Sequence, residues 1–277
     1  MPATRPISFG SLFAGIPAGG FDLGLERAGM ECAWQVENDD YCRRVLAKHW
    51  PGVRRYGNIK EVDWGEVERV DLVCGGFPCQ DLSIAGKKEG LHGQRSGLYT
   101  ELLCAVEWLR PEWVVVENVY HSWRRWMPQL RRALYRVGLA SLPFRLRAAD
   151  FGAPHIRSRG FILAHRDSER LRELKGRWRW PSREEEGVAV FDGSLWVPGD
   201  GARLRRREGR SGGASSSLKE RYASVRLGRR HWWASEPELE RLVHGIPPDV
   251  ERNRALGNAV VPQVAEWIGR RILDVAK

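Results

Sequence analysis

The chain is 277 residues long, and 42% of its residues are hydrophobic, including 13 tryptophans. A chain of this length and composition can bury a large core, which excludes a globally disordered protein and predicts one large α/β domain with a smaller attachment. The sequence has no run of about 18 uncharged apolar residues, so we expect no membrane-spanning helix. The formal net charge of +10 favours an anionic partner.

The positive charge is concentrated between residues 166 and 230. This segment holds 17 Lys and Arg against 10 Asp and Glu, so it carries seven of the ten net charges. It also contains Trp178, Trp180 and Trp196, and aromatic rings in a basic segment can stack on bases or insert between them. The pattern favours a nucleic-acid partner over a merely solvated charged surface.

The amino-terminal segment and the cysteines exclude other classes. The first 20 residues are apolar, but Gly10, Gly15 and Pro17 interrupt them, which favours a first strand and turn over a secretion signal. The five cysteines form no C-x-x-C pair, and the seven histidines are scattered. We therefore expect a cytoplasmic protein with reduced thiols, no disulfide framework and no structural metal.

Residues 1–165 alternate between strand-like and helix-like segments. Strands are predicted in PISFGSLFAG, ECAWQVEN, RVDLVCGG and EWVVVENV, and helices in GGFDLGLERAG, DDYCRRVLAKHW and SGLYTELLCAVEWLRP. Asp39 or Asp40 opens the second of these helices, and the third stops at Pro111. Alternation of this kind predicts a parallel sheet with helices on both of its faces.

The composition changes after His165. Short strand-like pieces, prolines, glycines and a serine run predict a small, loop-rich domain over residues 166–231. Helical periodicity returns in SEPELERLVHGIP and VPQVAEWIGRRILDVAK. The sequence thus predicts one domain over residues 1–165, a second, small domain over 166–231, and a return to the first domain over 232–277.

The segment DLVCGGFPCQDLS places a cysteine just past a predicted strand. Residues 71–74 have the pattern of a buried strand end, and Gly75 and Gly76 allow an abrupt turn. Cys79 therefore follows the carboxyl end of a strand, where open α/β sheets bind their ligands. Pro78 restricts the backbone beside it. The segment alone is as compatible with a nucleophilic thiol as with a small buried hydrophobic residue.

Other chemically active residues follow the predicted strands. The glycine-rich turn FAGIPAGGFDLGL would let backbone amides approach a cofactor, and Glu37 at the next strand end would suit ribose hydroxyls. Glu117 ends an apolar strand, so partial burial would raise its pKa toward that of a general acid. Arg157 and Arg159 are two residues apart and share one side if the chain is extended. Each feature alone also fits an ordinary surface or turn residue.

Together these motifs resemble the DNA (cytosine-5)-methyltransferase family. FAGI, GGFDLGL, GGFPCQDLS, ENV, HIRSR and LGNAVVP occur in the order of that family's motifs, and the resemblance covers roughly residues 7–165 and 232–277. It implies a Rossmann-like methyltransferase sheet, S-adenosylmethionine as cofactor and double-stranded DNA as partner. It also implies that the basic, tryptophan-bearing segment is the variable target-recognition domain. We expect such an enzyme to act as a monomer.

The resemblance implies a covalent mechanism. Cys79 would add to C6 of a cytosine flipped out of the duplex, which makes C5 nucleophilic. Glu117 would hydrogen-bond or protonate N3, and Arg159 would hold O2 of the base. Supporting roles around the cysteine loop would fall to Arg157, to Asn118 acting through Pro78, and to Gln80 and Ser83 near the target-strand backbone.

The same resemblance implies a cofactor site. Its glycine-turn residues would be Phe13, Ala14, Gly15, Ile16, Gly19 and Gly20. Glu37 would bind the ribose, and Asn58 and Ile59 would lie at the adenine. The remaining predicted cofactor residues are Gly76, Leu98, Asn258 and Ala259.

Three departures from the family pattern stand out. Pro17 and Ala18 lengthen the glycine turn by two residues relative to the family spacing, so the transfer of roles there is approximate. Asn58 replaces an aspartate at the adenine, which predicts weaker cofactor binding. His155 replaces the glutamine usual before the two arginines.

Two rival functions remain open. A tRNA cytosine-5 methyltransferase shares these motifs and also has a compact recognition region. A catalytically silent DNA-binding protein with the same fold has no physical need to keep Cys79, Glu117 and Arg159 together, which argues against it. An NAD-dependent oxidoreductase leaves the Pro-Cys-Gln and Glu-Asn-Val motifs unexplained.

Overall fold

The structure is a computed structural model that describes residues 5–15, 20–77, 97–151, 157–177 and 260–276. A seven-stranded sheet lies at its centre. The strands are β1 (Ser8–Leu12), β2 (Glu31–Val36), β3 (Arg54–Tyr56), β4 (Leu72–Gly76), β5 (Trp113–Val119), β6 (Ala140–Arg147) and β7 (Ser158–His165). All four predicted strands are confirmed as β1, β2, β4 and β5, and three further strands join them.

The strand order is β3-β2-β1-β4-β5-β7-β6. Every neighbouring pair from β3 to β5 is parallel, whereas β7 is antiparallel to both β5 and β6. The four predicted strands are parallel to one another, as expected, and the antiparallel strand β7 was not predicted. Only ten residues, 148–157, join β6 to β7, and a parallel crossover needs a longer connection, so these two strands pair antiparallel.

Six α-helices occur among the described residues. They are α1 (Gly20–Ala28), α2 (Asp40–His49), α3 (Gly97–Leu109), α4 (Trp123–Arg136), α5 (Ser168–Arg177) and α6 (Pro262–Ala276). Asp39 caps α2, since its side chain accepts a hydrogen bond from the backbone N–H of Cys42 at 3.0 Å. The three predicted helices in the first domain and the last predicted helix are confirmed. Helix α4 was not predicted.

Helices cover both faces of the sheet. Successive residues of β5 point to opposite faces, so Val115 joins the core beneath α1 and α6, while Val114 and Val116 join the core beneath α3 and α4. All three valines are at most 1% exposed. Because both faces are buried, β5 is apolar along most of its length rather than alternating.

Helix α6 packs against the same face of the sheet as α1. Ile268 and Ile272 of α6 are fully buried in the same core as Leu25 of α1. Leu171 and Leu174 of α5 also pack there, so the first helix after residue 166 lies on the sheet domain. The division at residues 166 and 232 stays a prediction, because residues 178–259 lie outside the described ranges. Within those ranges, no helix is both long and apolar enough to span a membrane.

Candidate active site at the carboxyl edge of the sheet

The predicted site residues gather at one edge of the sheet. Strands β1, β2, β4 and β5 run parallel, so their carboxyl ends lie at the same edge, and the reversed strand β7 brings its amino end there. The described predicted residues at or just beyond these strand ends are Phe13, Ala14, Gly15, Glu37, Gly76, Glu117, Asn118, Arg157 and Arg159. Their predicted roles are chemical proposals that the contacts below support.

Glu117 is a buried carboxyl near the end of β5. It is 5% exposed, and burial raises its pKa to about 7 even though Arg159 and Arg157 oppose the shift. Arg159 Nε lies 2.8 Å from Glu117 Oε1, within ion-pair distance. The pair lacks the alignment of a hydrogen bond, and Oε1 accepts none from the described residues. This buried oxygen can therefore bind a ligand, and the carboxyl can exchange a proton near neutral pH.

Gly76 provides the space that the Glu117 carboxyl occupies. The two residues are opposite each other in the β4–β5 ladder. A Cβ atom at position 76 would lie 2.7 Å from Glu117 Oε2, a distance that real Cβ atoms essentially never show. Gly76 was predicted to line the cofactor site, and its described contact is with the candidate acid.

The two arginines approach Glu117 from β7. Arg159 pairs with Val119 in the β5–β7 ladder, two positions from the Glu117 pair and on the same face. Arg157 has a φ of 25°, a sparsely populated conformation for a residue with a side chain. Burial and the charge of Arg159 lower the pKa of Arg157 to about 10. The Arg157 guanidinium therefore keeps its charge at neutral pH.

Asn118 holds the backbone immediately before the predicted cysteine loop. It is 2% exposed, and its Nδ2 donates to the Phe77 carbonyl at 2.9 Å. Phe77 precedes Pro78, so this bond fixes the carbonyl of the peptide group that leads into the loop. The bracing role predicted for Asn118 thus has a defined contact. The predicted loop residues Pro78, Cys79, Gln80 and Ser83 lie outside the described residues.

An aromatic cluster supports the same strand ends and was not predicted. The Phe77 ring packs edge-on against Tyr99 and Trp126, with centroid distances of 5.8 Å and 6.0 Å. Trp126 Nε1 also donates to the Val119 carbonyl at 3.2 Å, and Trp123 packs against Trp126. The cluster therefore joins the ends of β4 and β5. The W-x-x-W spacing, typical of one face of a helix, was the available signal in the sequence.

The turn after β1 has the backbone geometry of a close-approach site. Phe13 and Gly15 have φ values of 54° and 60°, in the left-handed region. Glu37 Oε2 accepts a hydrogen bond from the Gly15 amide at 2.8 Å, and Oε1 accepts one from the Asp39 amide at 2.8 Å. Each carboxylate oxygen keeps further acceptor capacity. This capacity fits the ribose role predicted for Glu37.

The glycine-rich turn and the LGNAVVP motif meet at Gly20. A Cβ atom there would lie 2.0 Å from the carbonyl oxygen of Val260, so only glycine permits this contact. Two segments that were both predicted to line the cofactor site are therefore adjacent. The neighbouring predicted residues Ile16, Gly19, Asn258 and Ala259 lie outside the described ranges.

The predicted adenine residues sit at the end of β3. Asn58 Oδ1 accepts a hydrogen bond from the Lys60 amide at 3.2 Å, and Asn58 Nδ2 donates to Glu61 Oε1 at 3.0 Å. Ile59 is only 3% exposed in the core beneath α3, and Leu98 packs against that core from α3 itself. The Ile59 side chain therefore belongs to the core. Asn58 is occupied in capping the short helical turn that follows it.

Asp22 is a second buried carboxyl, and sequence analysis did not single it out. It is fully buried in the first turn of α1, just after the glycine-rich turn. Its Oδ2 accepts a long hydrogen bond of 3.5 Å from Gln35 Nε2, while Oδ1 has no partner among the described residues. Burial raises its pKa to about 7. An acidic residue is common in the first turn of a helix, where it interacts favourably with the helix dipole, so the sequence pattern gave no reason to single out Asp22.

Comparison with known protein families decides the family. A family model of C-5 cytosine-specific DNA methylases matches residues 7–193, more than half of the chain. The chain belongs to this family. The resemblance predicted from the motifs is confirmed.

This chain matches individual methylases over only part of their length. The Type II methyltransferase M2.BsuMI of Bacillus subtilis is 40% identical over 162 residues, which cover 56% of this chain and 41% of that protein. M.HhaI of Haemophilus parahaemolyticus is 30% identical over 173 residues, which cover 61% of this chain and 52% of that protein. The chain therefore spans about half the length of these relatives or less. The solved structure of a Spodoptera frugiperda DNMT2 mutant matches 69% of this chain and 57% of the mutant's chain, with 19% identity and a TM-score of 0.50. This similarity concerns the fold alone.

Of the three departures from the methylase pattern, one can be described. Asn58 lies within the described residues and caps its own turn, as shown above. The Pro17-Ala18 insertion and His155 lie outside them.

Proposed function

We propose that the chain transfers a methyl group from S-adenosylmethionine to C5 of a cytosine in double-stranded DNA. The observation that carries the proposal is Glu117. This buried carboxyl has a pKa of about 7, lies 2.8 Å from Arg159 and keeps an oxygen without a hydrogen bond among the described residues. Membership of the cytosine methylase family supports the same chemistry.

The target base must leave the helix to reach this buried group. C5 and C6 of a stacked cytosine are inaccessible, so the nucleotide has to rotate into the site. There Glu117 binds N3 in its protonated form, and Arg159 donates to O2. Both contacts recognise the Watson–Crick edge of cytosine and draw electron density toward N3 and O2 during addition.

Cys79 supplies the nucleophile. Its thiolate forms a bond to C6, the C5–C6 double bond opens, and N3 receives the Glu117 proton, so that C5 becomes nucleophilic. After C5 is methylated, removal of the C5 proton and loss of the thiolate from C6 restore the aromatic ring, and N3 returns its proton. Asn118 serves this step indirectly by holding the carbonyl before Pro78.

The described residues fit a nucleoside cofactor beside this site. S-adenosylmethionine, when bound, supplies an electrophilic methyl group. The Glu37 carboxylate has acceptor capacity for ribose hydroxyls, and the close contact of Gly20 with Val260 brings the glycine-rich turn and the LGNAVVP segment together. We also propose that Gly76 acts through Glu117, and that Ile16, Gly19, Leu98, Asn258 and Ala259 complete the pocket.

One chain carries all the groups that this chemistry needs, so we propose a monomeric enzyme acting in the cytoplasm, where DNA and S-adenosylmethionine are both present. The test is bisulfite sequencing of DNA from bacterial cells that express the chain, with Cys79→Ala as the control. We expect cytosines at one recurring sequence to resist bisulfite conversion in cells that express the unmodified chain, and not in cells that express the Cys79→Ala variant. Protection of tRNA without protection of DNA would favour the RNA methyltransferase instead, and no protection in either would refute the proposed activity.

A further inference from the structure

The exposed face of α4 carries arginines and no acidic residue. The helix sequence, WRRWMPQLRRALYR, contains five arginines and neither Asp nor Glu. Arg124, Arg125, Arg132 and Arg136 are exposed, whereas Arg131 is buried and donates to Ser141. The outer surface of this helix is therefore strongly positive.

Other helices of the chain neutralise such arginines internally. Helix α2 pairs Arg43 with Asp40, α5 pairs Arg172 with Glu169, and α6 pairs Arg270 with Glu266. These partners are three or four residues apart, the spacing that brings side chains together on a helix. The four exposed arginines of α4 form no ion pair with any residue that the structure describes.

The position of the arginines within α4 separates them into two pairs. Arg132 and Arg136 lie toward the carboxyl end, where the helix dipole stabilises positive charge. Arg124 and Arg125 lie in the first turn, where the dipole opposes it. Their position therefore costs stability in the protein alone, and an external anion would offset that cost.

The first turn of α4 is also next to the candidate acid. The helix begins directly after the short turn Tyr120–Ser122, which follows β5. Trp126 is bonded to the Val119 carbonyl, and Trp123 packs against Gly160, the residue paired with Asn118. These contacts fix the start of α4 beside the strand that carries Glu117.

We propose that Arg124 and Arg125 bind backbone phosphates of the DNA strand that flank the flipped cytosine. The inference rests on the proposed function, because a base at Glu117 stays joined to its own backbone and brings the neighbouring phosphates to this edge of the sheet. Arg132 and Arg136 lie about 12 and about 18 Å farther along the helix axis from Arg124, away from that edge. They are therefore expected to contribute less.

The experiment compares two double variants on the same helix, Arg124→Gln/Arg125→Gln and Arg132→Gln/Arg136→Gln. Binding of a short fluorescein-labelled DNA duplex is followed by fluorescence anisotropy over a series of KCl concentrations. Each lost phosphate contact should reduce the slope of log K against log salt by about one, so the first variant should lose about two and the second clearly less. The first variant should also melt no lower than the unmodified chain, because its arginines oppose the helix dipole.

An unchanged slope in Arg124→Gln/Arg125→Gln, with the fold intact by circular dichroism, overturns the proposal. The basic face of α4 would then be assigned to an acidic protein partner instead of DNA. Equal losses in both variants also overturn it, since they indicate a diffuse charge effect rather than contacts beside the site. The titration does not require methylation of the duplex. Its failure is therefore distinct from failure of the proposed activity, which bisulfite sequencing reports separately.

Discussion

Replacing Glu117 by Gln removes the candidate acid while keeping its shape. An ordinary glutamate with a pKa of 4.5 would be about 0.3% protonated at pH 7, whereas Glu117, with a pKa of about 7, is about half protonated. The upward shift corresponds to about 3 kcal/mol of penalty on the charged form. Burial thus keeps a proton available for N3 at a pH where cysteine chemistry can proceed.

We expect Glu117→Gln to lower kcat/KM for methyl transfer by about 10²- to 10⁴-fold, the usual contribution of a general acid. The pH profile should change as well. The acidic form of Glu117 exists below its pKa, so the rate of the unmodified chain should fall as pH rises through about 7. The Gln variant has no such proton to lose, and this descending limb should disappear.

The assay is transfer of a labelled methyl group to DNA at low substrate concentration, from about pH 5.5 to about pH 9. Glu112→Gln is the matched control, because Glu112 is exposed directly before β5, on the far edge of the sheet. The reasoning is wrong if Glu117→Gln keeps the descending limb, or if its rate stays within a few-fold of the control.

Two further predictions concern the other polar side chains of the site. Burial raises the pKa of Asp22 to about 7, so the native state keeps a proton that the unfolded chain loses, and stability should fall as pH rises from about 4 to about 7, by up to about 4 kcal/mol. The free energy of unfolding of Asp22→Asn, measured with urea, should not show this part of the decrease with pH. If the free energies of the variant and of the unmodified chain run parallel over this pH range, the explanation is wrong. Asn58→Asp alone should not tighten S-adenosylmethionine binding, because the new carboxylate would face Glu61, whereas Asn58→Asp/Glu61→Gln should. Calorimetry decides, and equal affinities of the two variants would contradict this explanation.

The sequence predicted the part of the fold that depends on regular patterns. Strands β1, β2, β4 and β5 carry apolar runs bounded by turn residues, and Asp39 marks the start of α2. Strand β6 escaped prediction because it contains Pro143 and two arginines, which weaken a strand pattern. Helix α4 escaped prediction because it contains Pro128 and five arginines, one of them buried. The reversal at β7 depends on a short connection, which only the topology reveals.

The sequence also predicted where several of the candidate site residues lie in the fold. The strand-end positions of Glu37 and Glu117 follow from the sequence pattern, since parallel strands share a carboxyl edge. Arg159 reaches the same edge because β7 runs in the opposite direction. What the sequence could not supply is three-dimensional contact. The close packing of Gly76 on Glu117, the burial of Asp22 and the capping role of Asn58 each depend on residues that are distant in the sequence or on the exact local backbone.

Covalent trapping tests the central claim most directly, namely that Cys79 attacks C6 of a flipped cytosine. In DNA whose target cytosine carries fluorine at C5, methyl transfer can proceed but fluorine cannot leave as a proton does. The C6–sulfur bond should therefore persist, and a denaturing gel should show protein joined to DNA only when S-adenosylmethionine is present.

Cys79→Ala should abolish this adduct. Cys104→Ala is the control, because Cys104 is a free thiol on α3 whose pKa is raised by burial, and it should leave trapping intact. Persistence of the adduct without Cys79, or no adduct with DNA that the unmodified chain methylates, would contradict the covalent mechanism.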